Sequence, residues 1–225
     1  MTIPSPCNRA VRTAVLALGL QLVISAALAQ APTNPNLNAQ LLVGARQNDL
    51  GQVERVLEKG AAANSRNRLG KTALLIACEK GNEPLAARML AAGTDVNLAS
   101  LDRVTPLMAA SYGGYATLVK DLLAAGAKTD PLDRMNKPAI VYAAAQGHVS
   151  VLELLLGSGI DIDAPYEHRL TALMWAAGQG QAEAVKTLLA RGARSDLRDD
   201  RGLTAAEIAR QAGHAPVADL LSAAR

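Results

Sequence analysis

The sequence predicts an all-α fold in which short helix-turn-helix units stack into a solenoid. Three observations support this prediction. Stretches that resemble "TPLMAASYGG" recur every 33 residues, half of the 225 residues are apolar, and the aromatic side chains are one Trp and four Tyr with no Phe. A fixed period of this size is typical of repeat proteins whose units bury their apolar faces against one another. A core of Ala, Leu, Val, Ile and Met suits closely packed helices better than a sheet sandwich.

The N-terminal residues follow a different pattern from the repeats. Arg9 and Arg12 precede the uncharged apolar run "TAVLALGLQLVISAALA", which ends in an A-x-A pattern before Gln30. These features predict a secretory signal peptide over 1–29, cleaved between Ala29 and Gln30. The run is shorter than the roughly 20 apolar residues of a membrane span, so no span is expected after cleavage. The short leader is typical of bacterial export and predicts a periplasmic or secreted protein.

Removal of this leader also changes the net charge and the number of cysteines. The leader holds two of the 23 basic side chains and no acidic one, which leaves 21 basic against 20 acidic side chains. A chain so nearly neutral has no basic stripe for a row of phosphates, and nucleic acid is therefore not an expected partner. Cys7 departs with the leader, and Cys78 alone can form no intramolecular disulfide.

The repeat divides the remaining chain into units. After a short linker over 30–36, a solenoid domain over 37–225 is predicted to contain six units, with the polar outer two acting as caps. Their approximate bounds are 39–71, 72–104, 105–137, 138–170, 171–203 and 204–225.

Each unit is predicted to contain two helices and a loop that projects from the stack. In the third unit Thr105 caps the first helix, Pro106 occupies its first turn, and Gly114 and Gly126 end the two helices in a left-handed conformation. The first helix carries small side chains that let neighbouring backbones approach, and the second supplies Leu and Val along one face. The helix-ending glycines predicted in this way are Gly114, Gly147, Gly180 and Gly213 for first helices, and Gly126, Gly159 and Gly192 for second helices.

The 33-residue period, the pattern T-P-L-x-x-A-A-x-x-G and the later L-L-x-x-G together resemble the ankyrin repeat. The resemblance covers residues 37–225 and implies a concave binding face formed by first helices and by finger-like loops. Three departures are visible. The histidine usual after T-P-L is absent, Pro138 replaces a capping Thr, and Arg103 and Arg169 stand where the finger usually has glycine. These two fingers are expected to adopt nonstandard turns.

A search for chemistry finds no catalytic constellation, metal-ligand spacing or phosphate loop. His148 and His214 follow helix-ending glycines, where the resemblance implies local hydrogen bonding. Cys78 aligns with small packing positions and is interpreted as a buried thiol. His168, in the finger "YEHRL", is interpreted as a surface recognition residue. The sequence predicts no enzyme, no metal and no cofactor.

Recognition is expected on the concave face and the fingers, where the units differ. Tyr142 and Trp175 occupy the same position in successive first helices, and Tyr112 and Tyr166 are expected nearby. Aromatic residues are enriched in binding hot spots. Half-burial between stacked helices is the alternative for Tyr142 and Trp175, and the sequence leaves both interpretations open. The predicted partner-binding residues are Tyr112, Tyr142, Tyr166, His168, Arg169, Trp175, Arg103 and Arg134.

The sequence therefore predicts a monomeric, non-catalytic module exported to the periplasm, which binds a protein partner of mixed or acidic surface. The alternative is a secreted inhibitor or effector that acts on the proteins of another cell. Detection in the culture medium instead of the periplasm would favour that alternative.

Overall fold

A computed structural model describes residues 34–223, which form helices and no strand. The predicted signal peptide, its cleavage site at Ala29 and Gln30, and most of the linker lie outside these residues. The first helix begins at Pro35, inside the stretch expected to be linker. The helices are α1 Pro35–Gln47, α2 Leu50–Glu58, α3 Ala73–Lys80, α4 Glu83–Ala91, α5 Pro106–Gly113, α6 Ala116–Ala124, α7 Ala139–Gln146, α8 Val149–Gly157, α9 Ala172–Gly178, α10 Ala182–Ala190, α11 Ala205–Gln211 and α12 Ala215–Ala223.

The predicted caps of the first helices are confirmed. The Oγ1 atom of Thr72 accepts the Leu75 N–H at 3.1 Å, and Thr105, Thr171 and Thr204 hold the same position. Pro138 provides no side-chain cap for α7. In the last unit a Glu207 oxygen accepts the Thr204 N–H at 2.7 Å and its hydroxyl at 3.0 Å. These bonds form a capping box with the Glu207 N–H, which donates to Thr204 Oγ1 at 3.4 Å.

The helix ends also follow the prediction, since all seven glycines assigned to helix ends have positive φ. Gly114 is the C-cap of α5 with φ 74°. Gly126 follows the C-cap of α6 and has φ 86°.

Stacking of the pairs produces one continuous core. Each first helix contacts the next, from α1 through α11, and these contacts are denser than those between successive second helices. The first helices therefore approach one another more closely than the second helices do. Alanines such as Ala110, Ala144 and Ala177 are fully buried in the first helices, and leucines such as Leu152 and Leu155 are fully buried in the second helices. The small side chains allow the close approach that the sequence predicted.

Within residues 34–223, five finger tips project at the ends of the loops. Each is a five-residue turn closed by a backbone hydrogen bond from its first to its last residue, for example Asn67 N–H to Lys71 O at 3.0 Å. In four of the five tips the first side chain also accepts a backbone N–H within the turn. Fingers 1 to 5 are residues 67–71, 100–104, 133–137, 166–170 and 199–203.

The expectation of nonstandard turns is wrong for finger 2 and confirmed for finger 4. Arg103 takes φ 62°, the left-handed conformation that Gly70 has with φ 74°, and so keeps the ordinary turn. Finger 4 has two successive left-handed residues, His168 and Arg169, both with φ 57°. Its first residue is Tyr166, whose side chain makes none of the turn bonds seen in the other fingers. Loss of this local acceptor explains the different turn.

The fingers form a hydrogen-bonded ladder with one interruption. The N–H of Leu101 donates to Leu69 O at 2.9 Å, and fingers 2 and 3 and fingers 4 and 5 are joined in the same way. Within residues 34–223 no such bond joins finger 3 to finger 4. Pro131, ahead of finger 3, has no N–H to close the turn that Ser65 N–H closes ahead of finger 1. We call this interruption the seam. Pro131 precedes the turn of finger 3 on one side of it, and Tyr166 is the first residue of finger 4 on the other.

Candidate functional site

Two tyrosines form an aromatic pair on the first-helix side. Tyr112 of α5 and Tyr142 of α7 have ring centroids 5.8 Å apart with planes at 84°, an edge-to-face arrangement. Tyr112 is 55% exposed, whereas Tyr142 is half-buried. They border a groove of about 360 Å³. The groove is lined by Glu79, Val104, Met108, Ala109, Tyr112 and Tyr142.

Tyr142 has a second, internal role because its hydroxyl donates to Oδ2 of Asp133 in finger 3. Oδ1 of the same carboxylate accepts the N–H groups of Met135 and Lys137, each at 2.8 Å. Asp133 is buried. Burial, and then the hydrogen bond to Asp133 and its charge, raise the pKa of Tyr142 well above its usual range. Tyr142 thus connects α7 to the base of finger 3.

We expect this connection to be visible in an alkaline titration. Because the pKa of Tyr142 is raised in the folded chain, the unfolded chain loses this proton first, and stability falls as the pH rises above about 10. Tyrosinate absorbance of the native protein should show a late ionisation step to which both Tyr142 and Tyr166 contribute, since burial raises the pKa of each. Tyr142→Phe should lower the amplitude of that late step by one tyrosine. A late step of unchanged amplitude in Tyr142→Phe would contradict the assignment.

Trp175 of α9 is also half-buried. The Lys137 Nζ atom lies 4.2 Å from the centroid of its ring, a cation–π geometry that links finger 3 to the fifth unit. Its indole N–H is buried and makes no hydrogen bond with any residue in the described part of the chain. Tyr142 and Trp175 therefore both have internal contacts, and Tyr112 presents the larger free surface of the three.

The remaining predicted residues are spread along the fingers. Arg103 and Arg169 are exposed, and Arg134 lies 3.5 Å from Asp102. His168 is 72% exposed between two carboxylates, at 3.9 Å from Glu167 and 3.7 Å from Asp200. Tyr166 is half-buried, and burial followed by the charge of Asp161 raises its pKa. The structure joins Tyr112 with Tyr142, and distributes the others over successive fingers.

Sequence reasoning missed three side chains on the finger tips. Leu69, Leu101 and Met135 are 58%, 59% and 55% exposed, and together with Tyr112 they are the exposed large apolar residues within 34–223. A comparison of the fingers position by position could have found them. Leu69 and Met135 occupy a position that is Asp102, His168 or Arg201 in the other fingers.

Cys78 and His148, which were considered as reactive groups, both contribute to the packing or hydrogen bonding of the fold. Cys78 is fully buried, and burial, followed by the charge of Glu79, raises its pKa to about 12. The expectation that His148 bonds locally is wrong, because its Nε2 atom lies 3.0 Å from Tyr112 O of the preceding unit. Among residues 34–223, no group of three or more His, Cys, Asp or Glu side chains could hold a metal ion.

Paired helices, one shared core and projecting fingers define a helical-repeat protein that stacks short units into a solenoid. Family profiles match ankyrin repeats in three copies, over residues 41–133, 84–166 and 140–224. The protein therefore belongs to the ankyrin-repeat family, whose repeats indicate a module for protein–protein interaction. Curated protein sequences give no match. No helix in the described range is long and apolar enough to cross a membrane.

Proposed function

We propose that this chain is a non-catalytic module that is exported through a cleaved signal peptide and binds a protein partner as a monomer. One observation supports the location of binding. The four exposed large apolar side chains found in residues 34–223 lie on the finger tips or on the first-helix side, and none lies on the second helices. Exposed apolar side chains grouped on one side of a protein typically mark an interaction surface.

The proposed surface extends from the finger tips to Tyr112. It includes Arg103, Arg134, His168 and Arg169 at the tips. Tyr142 and Trp175 have a structural role in this surface. The Tyr142 hydroxyl donates to Asp133, and the Trp175 ring contacts the Lys137 ammonium group. Tyr166 is half-buried at the start of finger 4 and packs against the hydrophobic core.

A photo-crosslinking amino acid placed at Tyr112 tests the binding surface in cells of the source organism. The matched control carries the same amino acid at Lys120, an exposed residue of α6 on the second-helix side. We expect one protein to be crosslinked at Tyr112 and not at Lys120. Crosslinks at Lys120 alone would contradict the surface, and the absence of crosslinked protein at both would contradict the function.

Fractionation of the same cells tests export. We expect the chain in the periplasm with Gln30 as its first residue, and a chain in the cytoplasm that begins at Met1 would contradict the proposal. A chain that begins at Gln30 and accumulates in the culture medium would support the alternative of a secreted inhibitor or effector.

A further inference from the structure

The tips of fingers 1 to 3 form an apolar edge. Leu69, Leu101 and Met135 are each more than half exposed. Leu69 and Leu101 are direct neighbours, since the Leu101 N–H donates to Leu69 O at 2.9 Å. Finger 3 continues the ladder, with the Arg134 N–H donating to Asp102 O at 3.2 Å, and Met135 follows directly. The three residues thus lie on three successive finger tips, with Leu69 and Leu101 joined by one bond of the ladder and Met135 next to a residue of the following bond.

The same edge is basic. Arg68 and Arg103 are exposed and form no ion pair with any residue in 34–223. Arg134 lies 3.5 Å from Asp102, and both side chains remain about two-thirds exposed. The other carboxylate of these tips, Asp133, is buried and occupied by hydrogen bonds within its own turn and with Tyr142. The tips of fingers 1 to 3 therefore carry three exposed arginines and one exposed carboxylate, that of Asp102.

Fingers 4 and 5 differ from this edge. Apart from Arg169, their charged side chains contact one another, with His168 near Asp200 at 3.7 Å and Arg201 near Asp199 at 2.7 Å. No large apolar side chain is exposed on them. This change of surface coincides with the seam between fingers 3 and 4, where the ladder is interrupted.

We propose that the edge formed by Arg68, Leu69, Leu101, Arg103, Arg134 and Met135 binds an acidic protein segment in which carboxylates alternate with apolar side chains. This inference rests on the proposed function, because it names the chemistry of the partner. Guanidinium groups bind carboxylates through paired, charge-assisted hydrogen bonds. The apolar tips select for a protein segment over nucleic acid, because a phosphate backbone offers no apolar side chains to cover them.

The test uses the purified protein as isolated from cells and fluorescence anisotropy with three labelled synthetic peptides of equal length. One alternates Leu with Glu, one Leu with Lys, and one Ser with Glu. We expect the Leu/Glu peptide to bind at least about tenfold more tightly than either of the others, since both charge and apolar contact are needed. Its affinity should fall as salt is added.

Two variants and a matched control locate the binding. Arg68→Glu/Arg103→Glu should weaken the Leu/Glu peptide about tenfold or more and reduce its salt dependence. Leu69→Ser/Leu101→Ser should weaken it to a similar extent. Arg55→Glu/Lys120→Glu changes net charge equally at exposed positions of α2 and α6 and should leave binding unchanged. Circular dichroism checks that all three variants remain folded.

Several outcomes would overturn the inference. They are a preference for the Leu/Lys peptide, absence of binding by all peptides, equal weakening by the control pair, or displacement of the Leu/Glu peptide by an equally charged oligonucleotide. The proposed function is judged separately by crosslinking. A protein crosslinked at Tyr112 despite failure of the peptides would overturn the acidic-segment inference alone, whereas loss of every crosslink would overturn the function itself.

Discussion

Replacement of Asp133 by alanine should lower the free energy of unfolding by about 3 kcal/mol, because it leaves three partly buried donors without their acceptor. The N–H groups of Met135 and Lys137 each donate to Oδ1 at 2.8 Å, and the hydroxyl of Tyr142 donates to Oδ2. Within residues 34–223 these three donors have no other acceptor. Urea denaturation followed by far-UV circular dichroism measures the loss.

Two controls separate the buried hydrogen bonds from charge. Asp133→Asn retains an acceptor for the two N–H groups and loses the charge, so we expect about half the loss seen with alanine. Asp102→Ala removes a carboxylate of finger 2 that is 68% exposed and should change stability by less than about 0.5 kcal/mol. Equal effects of Asp133→Ala and Asp102→Ala would show that Asp133 does not organise finger 3.

Replacement of Gly114 by alanine should cost about 3 kcal/mol for two separate reasons. Gly114 has φ +74°, where an L side chain is strained, and a Cβ there would lie 2.6 Å from the His148 ring. Moving the ring aside would also break the contact of its Nε2 atom with Tyr112 O, which spans 3.0 Å. Denaturation of the variant measures the sum of strain and crowding.

Gly126 provides a matched control for this prediction. Its φ is +86°, but an added Cβ would meet no atom within 4 Å. Gly126→Ala should therefore cost only the conformational strain, about 1–2 kcal/mol. Adding His148→Ala to Gly114→Ala should restore part of the lost stability. Equal losses for Gly114→Ala and Gly126→Ala would contradict the crowding between the third and fourth units.

Much of the fold could be predicted from sequence because its determinants are local and repeated. Thr105 caps α5 through the N–H three residues later, and Gly114 ends the same helix, as the spacing indicated. The candidate surface was predicted less completely. Attention to aromatic and charged residues led to Tyr112 and Arg103 but passed over Leu69, whose exposure depends on how finger 1 projects from the stack.

The finger turns show where local reasoning ends. Arg103 occupies the glycine position, and finger 2 still keeps the ordinary turn. Two hydrogen bonds stabilise that turn. The Val104 N–H donates to Ser100 Oγ at 3.3 Å, and the Leu101 N–H donates to Leu69 O of finger 1 at 2.9 Å. Arg169 occupies the same position, but Tyr166 supplies no such acceptor, and the turn changes. Arginine at the glycine position therefore accompanies the ordinary turn in finger 2 and a different turn in finger 4, depending on the neighbouring residues.

The sequence by itself determined the period, the helix pairs, their caps and the small-residue faces, because each follows from contacts within a few residues repeated at a constant spacing. The tertiary structure alone decided which aromatic side chains have internal contacts, which arginines lack a carboxylate, and where the finger ladder is interrupted. Most of those properties depend on atoms about one repeat apart in sequence, such as Asp102 and Arg134. Stacking brings these atoms together, and the pattern within a single unit does not contain that information.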